Sequence, residues 1–537
     1  MPSIIMDEIG YLGSAAYFAG MDWHDVVSFY GPYYGYGYGI LIFPLLKLFS
    51  FDMMLAYKML IVINTIMVLI AFCCMNYVFK DTIRQDCLRC VICLMTCFYP
   101  SIIHNTQFAW SETLLFAVFA VVSMMLKLLI ERPTPILTLL SVGEVVYMYS
   151  VHQRTIGICA CLVIAHLYIL FFQHKEYKLT FIYIIFIVLC MILTSVLKHS
   201  VVNHVFTPDV GNILSNQNDY SGQVDKLLYI FSLDGISRLF VSIIGKIGYL
   251  GLSSLFLAFE GLYACFSKTY VFFVQLIKRK RHDKYPKLTL YSIWLFCYVA
   301  MLLCAAVFHL HPTRIDVILY GRYTDWMIFP FVILGVVSID RNKERRIAIY
   351  VLVELCSLLC LESYIEKYSL CSCYATCSPI THIFREYLRC DVSWVKVMFK
   401  VLIFVSILVL LLLKNSSNFK IIIMCFAISA IWVYITEPAI DNDIKLGNKE
   451  AAIEIYEQLT DLDSKDVYYI DDNRSNFFIS NLQYLLANES ICNISMEEKN
   501  KISNGDYIVV VRDGQDGFDD VGMLIFENND YMLYTKE

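Results

Sequence analysis

Residues 52–79, DMMLAYKMLIVINTIMVLIAFCCMNYVF, show which kind of fold this chain adopts. The charged residues of this stretch, Asp52 and Lys58, lie near its beginning, and the remainder is apolar or uncharged. A helix needs about 20 such residues to cross the hydrocarbon core of a bilayer. The sequence therefore predicts that this stretch is a transmembrane helix.

Similar stretches recur along the chain. Hydrophobic residues make up 58% of its 537 positions, charged residues make up 17%, and the mean hydropathy is +0.60. Soluble domains carry about 25% charged residues, so this composition excludes an ordinary soluble protein. We predict a mainly α-helical, polytopic bundle in the cell membrane, in contact with membrane lipids, with about twelve spans. The candidate spans are 52–79, 88–106, 112–130, 135–151, 155–172, 179–197, 247–276, 288–309, 327–338, 347–361, 396–413 and 420–435.

The basic residues between the spans predict the orientation, because Lys and Arg are enriched in cytoplasmic loops. With about twelve spans, the basic clusters at 278–287 and 341–346 fall on the same side as the smaller basic groups. Since they occupy short loops, no nucleic-acid partner is predicted. The segments expected outside are 1–50, 198–246, 310–326, 362–395 and the tail.

The amino terminus is then expected outside the cell, with no span before it. Either the first span exports residues 1–50, or an earlier helix is missing from this chain. We expect the second.

The net charge of −6 divides into two opposite parts. Residues 437–537 hold 22 acidic and 8 basic residues, whereas residues 1–436 hold 26 acidic and 34 basic residues. This predicts a membrane domain at 1–436 and a soluble extracytoplasmic domain at 437–537. Helical spacing at 449–459 and 477–486, with strand patterns at 466–470 and 507–511, predicts a small α/β domain.

Four cysteines share one polar loop, and a disulfide, free thiols or, less readily, a zinc site are open readings. They are Cys371, Cys373, Cys377 and Cys390.

Polar residues at four places converge on the predicted outer face. Ionisable residues at a membrane edge are costly and tend to mark functional sites. Each also has a purely structural interpretation. The acidic pair could be a solvated terminus or a helix cap, Glu112 could interact with the helix dipole, and the arginines could extend to the lipid headgroups. The aromatic run Tyr30–Tyr38 is read first as an interfacial belt. The four places are Asp7-Glu8, Trp110-Ser111-Glu112, His152-Gln153-Arg154 and Gly321-Arg322-Tyr323.

In this order, these elements resemble the GT-C superfamily of integral-membrane glycosyltransferases, which includes the protein O-mannosyltransferases and the lipid A aminoarabinose transferase. The resemblance rests on the acidic pair Asp7-Glu8, which Tyr11 and small residues follow, and on the segment Gly37–Leu46. It also rests on Ser111-Glu112 and Gly321-Arg322-Tyr323, with Pro330 beyond, and covers most of residues 1–436. In that superfamily a span precedes the acidic pair, which would make about thirteen spans here.

The resemblance implies inverting transfer of a sugar from a polyprenyl-phosphate carrier to a glycan, lipid or protein acceptor. Asp7 matches the base, with Glu8 as its neighbour, and the pair is expected to be catalytic. Arg322, and less closely Arg154, match the arginines that hold the donor phosphate. Tyr11, Glu112, His152 and Tyr323 are expected to line the substrate cavity, no metal ligands are identified, and a divalent metal is optional in this class.

Two other functions remain open at this point. A transporter or lipid flippase would show internal repeats and broken spans at the midplane. A non-catalytic GT-C-like scaffold for envelope assembly would retain the fold without turnover.

Overall fold

The structure is a computed structural model, and the part of the chain it describes is mostly helical. Its described residues are 4, 6–207, 228–278, 286–311, 315–338, 344–368, 392–414, 416–445, 449–459, 465–470, 476–494, 502–511 and 522–536. The four loop cysteines, Cys371, Cys373, Cys377 and Cys390, lie outside these ranges.

The described elements comprise long apolar helices, shorter connecting helices and five strands near the end of the chain. In the first half, the helices are α1 (Met6–Ala19), α2 (His24–Tyr30), α3 (Gly37–Leu48), α4 (Met53–Phe79), α5 (Asp86–Cys97), α6 (Pro100–Asn105), α7 (Ser111–Glu131), α8 (Pro135–Val151), α9 (Ile156–Leu167) and α10 (Tyr177–Val201). After these come α11 (Leu233–Ser253), α12 (Leu257–Ile277), α13 (Pro286–Phe308), α14 (Ile315–Ile318), α15 (Phe329–Val337), α16 (Glu344–Tyr368), α17 (Val392–Leu413), α18 (Asn418–Ile444), α19 (Lys449–Gln458) and α20 (Asn476–Leu485). The strands are β1 (Val467–Ile470), β2 (Ile491–Ile494), β3 (Tyr507–Val511), β4 (Met523–Glu527) and β5 (Tyr531–Thr535).

Eight helices in the described ranges are long and apolar enough to cross a membrane. The chain is therefore a multi-pass membrane protein, and the predicted mainly α-helical class is confirmed. Three shorter apolar helices accompany the eight, and the count of about twelve spans stays a prediction. The eight are Met53–Phe79, Ser111–Glu131, Gln153–Gln173, Tyr177–Phe206, Leu233–Ser253, Lys287–Phe308, Arg345–Tyr364 and Asn418–Asp441.

The predicted span 247–276 is wrong, because a break between two helices falls within it. Leu255 and Phe256 adopt left-handed backbone angles, with φ of 53° and 64°. Such angles are rare for residues other than glycine, so hydropathy alone could not reveal the break. Helix α11 ends before this break and is itself a candidate span, although residues 233–246 were expected to lie in an outer loop.

The predicted span 88–106 is also divided, here into α5 and α6. Pro100 occupies the start of α6. Proline cannot donate the backbone hydrogen bond that would continue α5, so the division falls where the sequence places it.

The described residues of the predicted outer segment 1–50 include the three helices α1, α2 and α3. A Cβ atom on Gly10 would lie 2.2 Å from the carbonyl oxygen of Pro32, so the small residues of α1 allow close packing. Gly20, with φ of +84°, follows the last residue of α1 and ends it in the left-handed conformation. This packing fixes the helix that begins with the acidic pair.

The five strands form one sheet in the order β2-β1-β3-β5-β4. Strand β1 pairs in parallel with β2 and β3, while β5 pairs antiparallel with β3 and β4. The predicted small α/β unit is confirmed, and strands β1 and β3 lie where the sequence patterns placed them. Strands β2, β4 and β5 were not predicted; β2 has one fully buried residue, Ile491, and β4 is mostly exposed.

The tail packs on the beginning of the chain. Val26 and Tyr30 of α2 share an apolar core with residues of α19, α20 and the sheet. The Trp23 indole donates a hydrogen bond to the carbonyl oxygen of Ala487 at 2.7 Å, and the backbone N–H of Ile4 donates to Asn481 at 2.8 Å. Since α18 continues to Ile444, the domain boundary at 436/437 stays a prediction.

Candidate active site

Two carboxylates and two guanidinium groups from distant parts of the chain meet in one cluster. Arg322 donates through Nε to Glu112 Oε1 at 2.7 Å and through Nη2 to Glu112 Oε2 at 3.3 Å. Its Nη1 donates to Asp7. Arg154 Nη2 donates to Glu112 Oε1 at 2.6 Å. Glu112 therefore anchors both arginines, and Arg322 bridges the two carboxylates.

The four charged groups differ in their access to solvent. The side chain of Glu112 is fully buried, and those of Arg322 and Arg154 are 6% and 9% exposed. Asp7 is 26% exposed. Buried charges are stable only when paired and hydrogen-bonded, which this cluster achieves. Asp7 is thus the most solvent-accessible of the four charged groups.

The charged side chains of the cluster lie in the first turns of helices or in the connections between helices. Asp7 lies in the first turn of α1 and Glu112 in the first turn of α7, where the helix dipole favours negative charge. Arg154 lies in a short 3₁₀ turn after α8, and Arg322 lies in the connection between α14 and the turn Asp325–Met327.

An aromatic wall surrounds Asp7. The Tyr34 hydroxyl donates to Asp7 Oδ1 at 2.7 Å, and the Tyr34 ring stacks on His152 at 5.0 Å between ring centroids. The Tyr11 ring lies 5.2 Å from that of Tyr34, and its hydroxyl is 2.8 Å from the Ser111 hydroxyl. These contacts hold the Asp7 carboxylate in one place.

Aromatic rings also cover the two arginines. The guanidinium of Arg154 lies 4.2 Å from the centre of the Tyr323 ring, and that of Arg322 lies 4.3 Å from the centre of the Trp110 ring. Cation–π contacts of this kind stabilise a desolvated cation by about 1–2 kcal/mol. Both arginines are therefore oriented before any ligand arrives.

Burial and charge set the pKa values around the cluster. Burial lowers the pKa of Arg322, but Glu112 and Asp7 outweigh this and raise it well above its usual range. Burial, with help from the two arginines, lowers the pKa of His152 well below its usual value. Burial raises the pKa of Tyr323 to about 12. The site thus contains permanently charged guanidiniums beside a neutral imidazole and neutral phenols.

Glu8 has a different set of partners from its neighbour Asp7. It is fully buried, and its Oε1 accepts from the Tyr57 hydroxyl at 2.5 Å and from the backbone N–H of Ala109 at 2.8 Å. These bonds tie α1 to α4 and to the loop that precedes α7. The geometry therefore supports a structural use of Glu8 more directly than the catalytic one predicted for the pair.

The structure brings together seven of the eight residues that the sequence singled out. Sequence reasoning did not assign Tyr34 to Asp7, because Tyr34 lies in the aromatic run read as an interfacial belt. Trp110 was noted as part of a motif but not as the ring beneath an arginine. The seven are Asp7, Tyr11, Glu112, His152, Arg154, Arg322 and Tyr323.

Within the described ranges, no group of three or more His, Cys, Asp or Glu side chains is arranged to bind a metal ion. The cysteines described in the structure are free thiols.

No protein-family model matches the sequence, and no curated protein matches it. Two solved structures of ArnT from Cupriavidus metallidurans, one in the apo state and one bound to undecaprenyl phosphate, are similar to this chain. Each aligns over 99% of this chain and 94% of its own, with a TM-score of 0.54 and 12% sequence identity. The chain has the GT-C fold of ArnT. At this identity the likeness concerns fold, and it confirms the GT-C resemblance at that level.

Proposed function

We propose that this chain is a membrane glycosyltransferase that transfers a sugar, with inversion, from a polyprenyl-phosphate carrier to an acceptor on the non-cytoplasmic face. The observation that carries the proposal is Arg322, a buried arginine shared between an accessible Asp7 and a buried Glu112. The GT-C fold, and the undecaprenyl phosphate bound to one of the similar ArnT structures, support it.

Asp7 is the proposed base. An acceptor hydroxyl is a poor nucleophile until a positioned carboxylate removes its proton. In the proposed step, the acceptor oxygen attacks the anomeric carbon, its proton passes to Asp7, and the bond from that carbon to the phosphate oxygen breaks. The bonding electrons leave with the polyprenyl phosphate.

Arg322 and Arg154 are the proposed phosphate ligands. The negative charge on the phosphate grows as the sugar leaves, and forked guanidinium donors suit a phosphate better than a single ammonium does. Preorganised cations in a water-poor site stabilise such developing charge without reorganisation. Glu112, bound to both arginines, keeps them at a fixed spacing.

The Asp7–Arg322 contact implies that the donor binds before Asp7 takes the proton of the acceptor. While Arg322 donates to the Asp7 carboxylate, that carboxylate is engaged and is not free to take a proton from an acceptor hydroxyl. A donor phosphate that takes Nη1 of Arg322 releases Asp7, while Glu112 retains Nε and Nη2. Donor binding therefore activates the base, and the Tyr34 hydroxyl keeps the released carboxylate in place.

The remaining cavity residues, Tyr11, His152 and Tyr323, supply aromatic surface. Rings of this kind stack on the apolar faces of sugars, and a neutral His152 adds no third positive charge. We assign Tyr11, His152 and Tyr323 to the sugar and the head of the carrier. The acceptor, whether glycan, lipid or protein, enters from the side on which Asp7 is exposed.

We assign the tail to the same side of the membrane as the charged cluster. Its contacts with α2, close to the acidic pair, support an extracytoplasmic domain that extends from about residue 437 to the end.

The test is donor turnover by the purified protein. The wild type is incubated with radiolabelled polyprenyl-phosphate sugars and a mixture of glycan, lipid and peptide acceptors, and release of polyprenyl phosphate is measured. Asp7→Asn retains the shape and the acceptor for Tyr34 but is not a base, so turnover falls by at least about 100-fold. The matched control is Asp52→Asn, because Asp52 caps α4 and asparagine caps helices equally well.

Turnover in the wild type and Asp52→Asn, with loss in Asp7→Asn, supports the proposal. Equal turnover in wild type and Asp7→Asn excludes Asp7 as the base. A folded wild type that releases no carrier from any donor contradicts the transferase and favours the scaffold.

A further inference from the structure

We propose that Asp443, near the end of α18, is a positioning residue for Arg322 and acts through His104 and Trp110. The inference rests on the proposed function, since Arg322 is there a ligand of the donor phosphate. It links the junction between membrane helices and tail to the affinity for the donor.

The first link is a buried hydrogen bond. His104 Nε2 and Asp443 Oδ2 are 2.8 Å apart, and their side chains are only 2% and 3% exposed. The other carboxylate oxygen of Asp443 has no hydrogen-bond partner among the described residues. The bond to His104 is therefore what the described structure provides to hold this buried carboxylate, and it fixes α6 against α18.

The second link is an aromatic stack. The His104 ring lies 5.0 Å from that of Phe108 and 5.2 Å from that of Trp110, and the Phe108 and Trp110 rings stack at 4.7 Å. All three side chains are buried. The Trp110 Nε1 group has no hydrogen-bond partner in the described part of the chain. Ring packing, rather than a directed hydrogen bond, therefore sets the position of Trp110.

The third link reaches the site. The Arg322 guanidinium lies 4.3 Å from the centre of the Trp110 ring. Glu112 fixes one edge of this guanidinium, and Trp110 fixes the plane in which it lies. A shift of the ring tilts that plane and redirects Nη1, the atom that we assign to the phosphate.

The loop between His104 and Trp110 transmits such a shift because its backbone is held at two points. The N–H of Ala109 donates to Glu8, and Asn64 Nδ2 donates to the carbonyl oxygens of Thr106 and Phe108 at 3.2 and 2.9 Å. The loop cannot absorb a displaced ring by moving its backbone. Helix α18 ends at Ile444, so the Asp443 bond lies at the junction between this helix and the folded part of the tail.

Asp443→Leu tests the positioning role. It removes the hydrogen-bond acceptor and introduces an apolar side chain of similar size. We expect the KM for the donor to rise about tenfold while kcat changes less than about twofold, because Arg322 is misplaced but present. Asp443→Asn retains an oxygen acceptor for His104 and restores the KM to within about threefold of the wild type.

The matched control is Asp441→Leu on the same helix. Asp441 is 60% exposed and pairs with Lys445 one turn later, so its loss leaves the donor KM unchanged. A double-mutant cycle tests the route: in a Trp110→Leu background, Asp443→Leu should raise the KM no further.

The dissociation constant for undecaprenyl phosphate is measured on the same variants, so that the inference can be judged without turnover. An unchanged KM and dissociation constant in Asp443→Leu, or fully additive effects in the cycle, overturn it. A wild type that binds the carrier without turnover refutes the transferase but leaves the positioning role to be judged by binding. If Asp443→Leu does not fold, the test uses Asp443→Asn and Trp110→Leu instead. The inference then requires that the dissociation constant for undecaprenyl phosphate rises in Trp110→Leu and stays close to the wild-type value in Asp443→Asn.

Discussion

The carboxylate of Asp7 and the guanidinium of Arg322 are in contact, although 315 positions separate them in the sequence. The contact joins the first helix to the connection before α15 and gives the cluster its accessible end. It also means that the proposed base and the proposed phosphate ligand hold each other until a donor arrives.

Arg322→Lys should abolish most activity without changing the net charge. A lysine offers one compact ammonium and cannot bind Glu112 through two nitrogens while reaching Asp7 through a third. We expect kcat/KM for the donor to fall by at least about 100-fold. Arg346→Lys is the control, because Arg346 pairs with Glu260 away from the cluster. Comparable losses in both variants would contradict a special role for Arg322.

Tyr34→Phe tests the hydrogen bond that holds Asp7. Removal of the hydroxyl deletes one bond to a charged acceptor, which is worth about 1.5–3 kcal/mol. We expect kcat to fall by about tenfold or more, with the donor KM nearly constant, in steady-state assays. Tyr17→Phe, which loses a bond to Ser200 instead, should retain wild-type turnover. A changed KM at constant kcat would assign Tyr34 to ground-state binding.

Asp325 should make stability depend on pH. Its buried carboxylate accepts from the Tyr249 hydroxyl at 2.8 Å, and burial raises its pKa to about 7. Between the unfolded pKa of about 3.9 and this value, the folded state retains a proton that the unfolded state loses, so stability falls as the pH rises. Asp325→Asn removes this loss. Its melting temperature in detergent should exceed that of the wild type by more at pH 8 than at pH 5, and a constant difference would refute the assignment.

Trp23→Phe should loosen the tail. The substitution removes the hydrogen bond from the indole to Ala487 and leaves a buried carbonyl oxygen unpaired. The expected cost is about 1–3 kcal/mol of unfolding free energy, seen as a lower thermal midpoint. Trp432→Phe makes the same change in volume where the indole nitrogen has no partner in the described chain, so it should cost less. The reverse order of the two midpoints would argue against the docking contact.

Much of the architecture was predictable because long apolar stretches have few alternatives to membrane helices. The charged cluster could be predicted for a similar reason: Glu112 lies at the start of a helix, and Arg154 and Arg322 lie in connections between helices, where a charge at the membrane edge requires a partner. Asp7 and Glu8 were harder to separate. Adjacent residues on a helix point about 100° apart, and only packing shows which one meets the arginines. The break at Leu255 has no composition signal, and Tyr34 is one tyrosine among several.

The contacts between the two ends of the chain constrain the order of assembly. The Ile4 N–H and the Asn481 side chain that binds it are 477 positions apart, and Val26 is buried partly by residues of the tail. Chains emerge from the ribosome amino terminus first, and early segments usually fold first. Here Ile4, just before the acidic pair, and helix α2 gain their contacts with the tail only after the tail has been made. The packing of this end of the membrane domain is therefore completed late, so a product that terminates before the tail is expected to be less stable even when its membrane helices are in place.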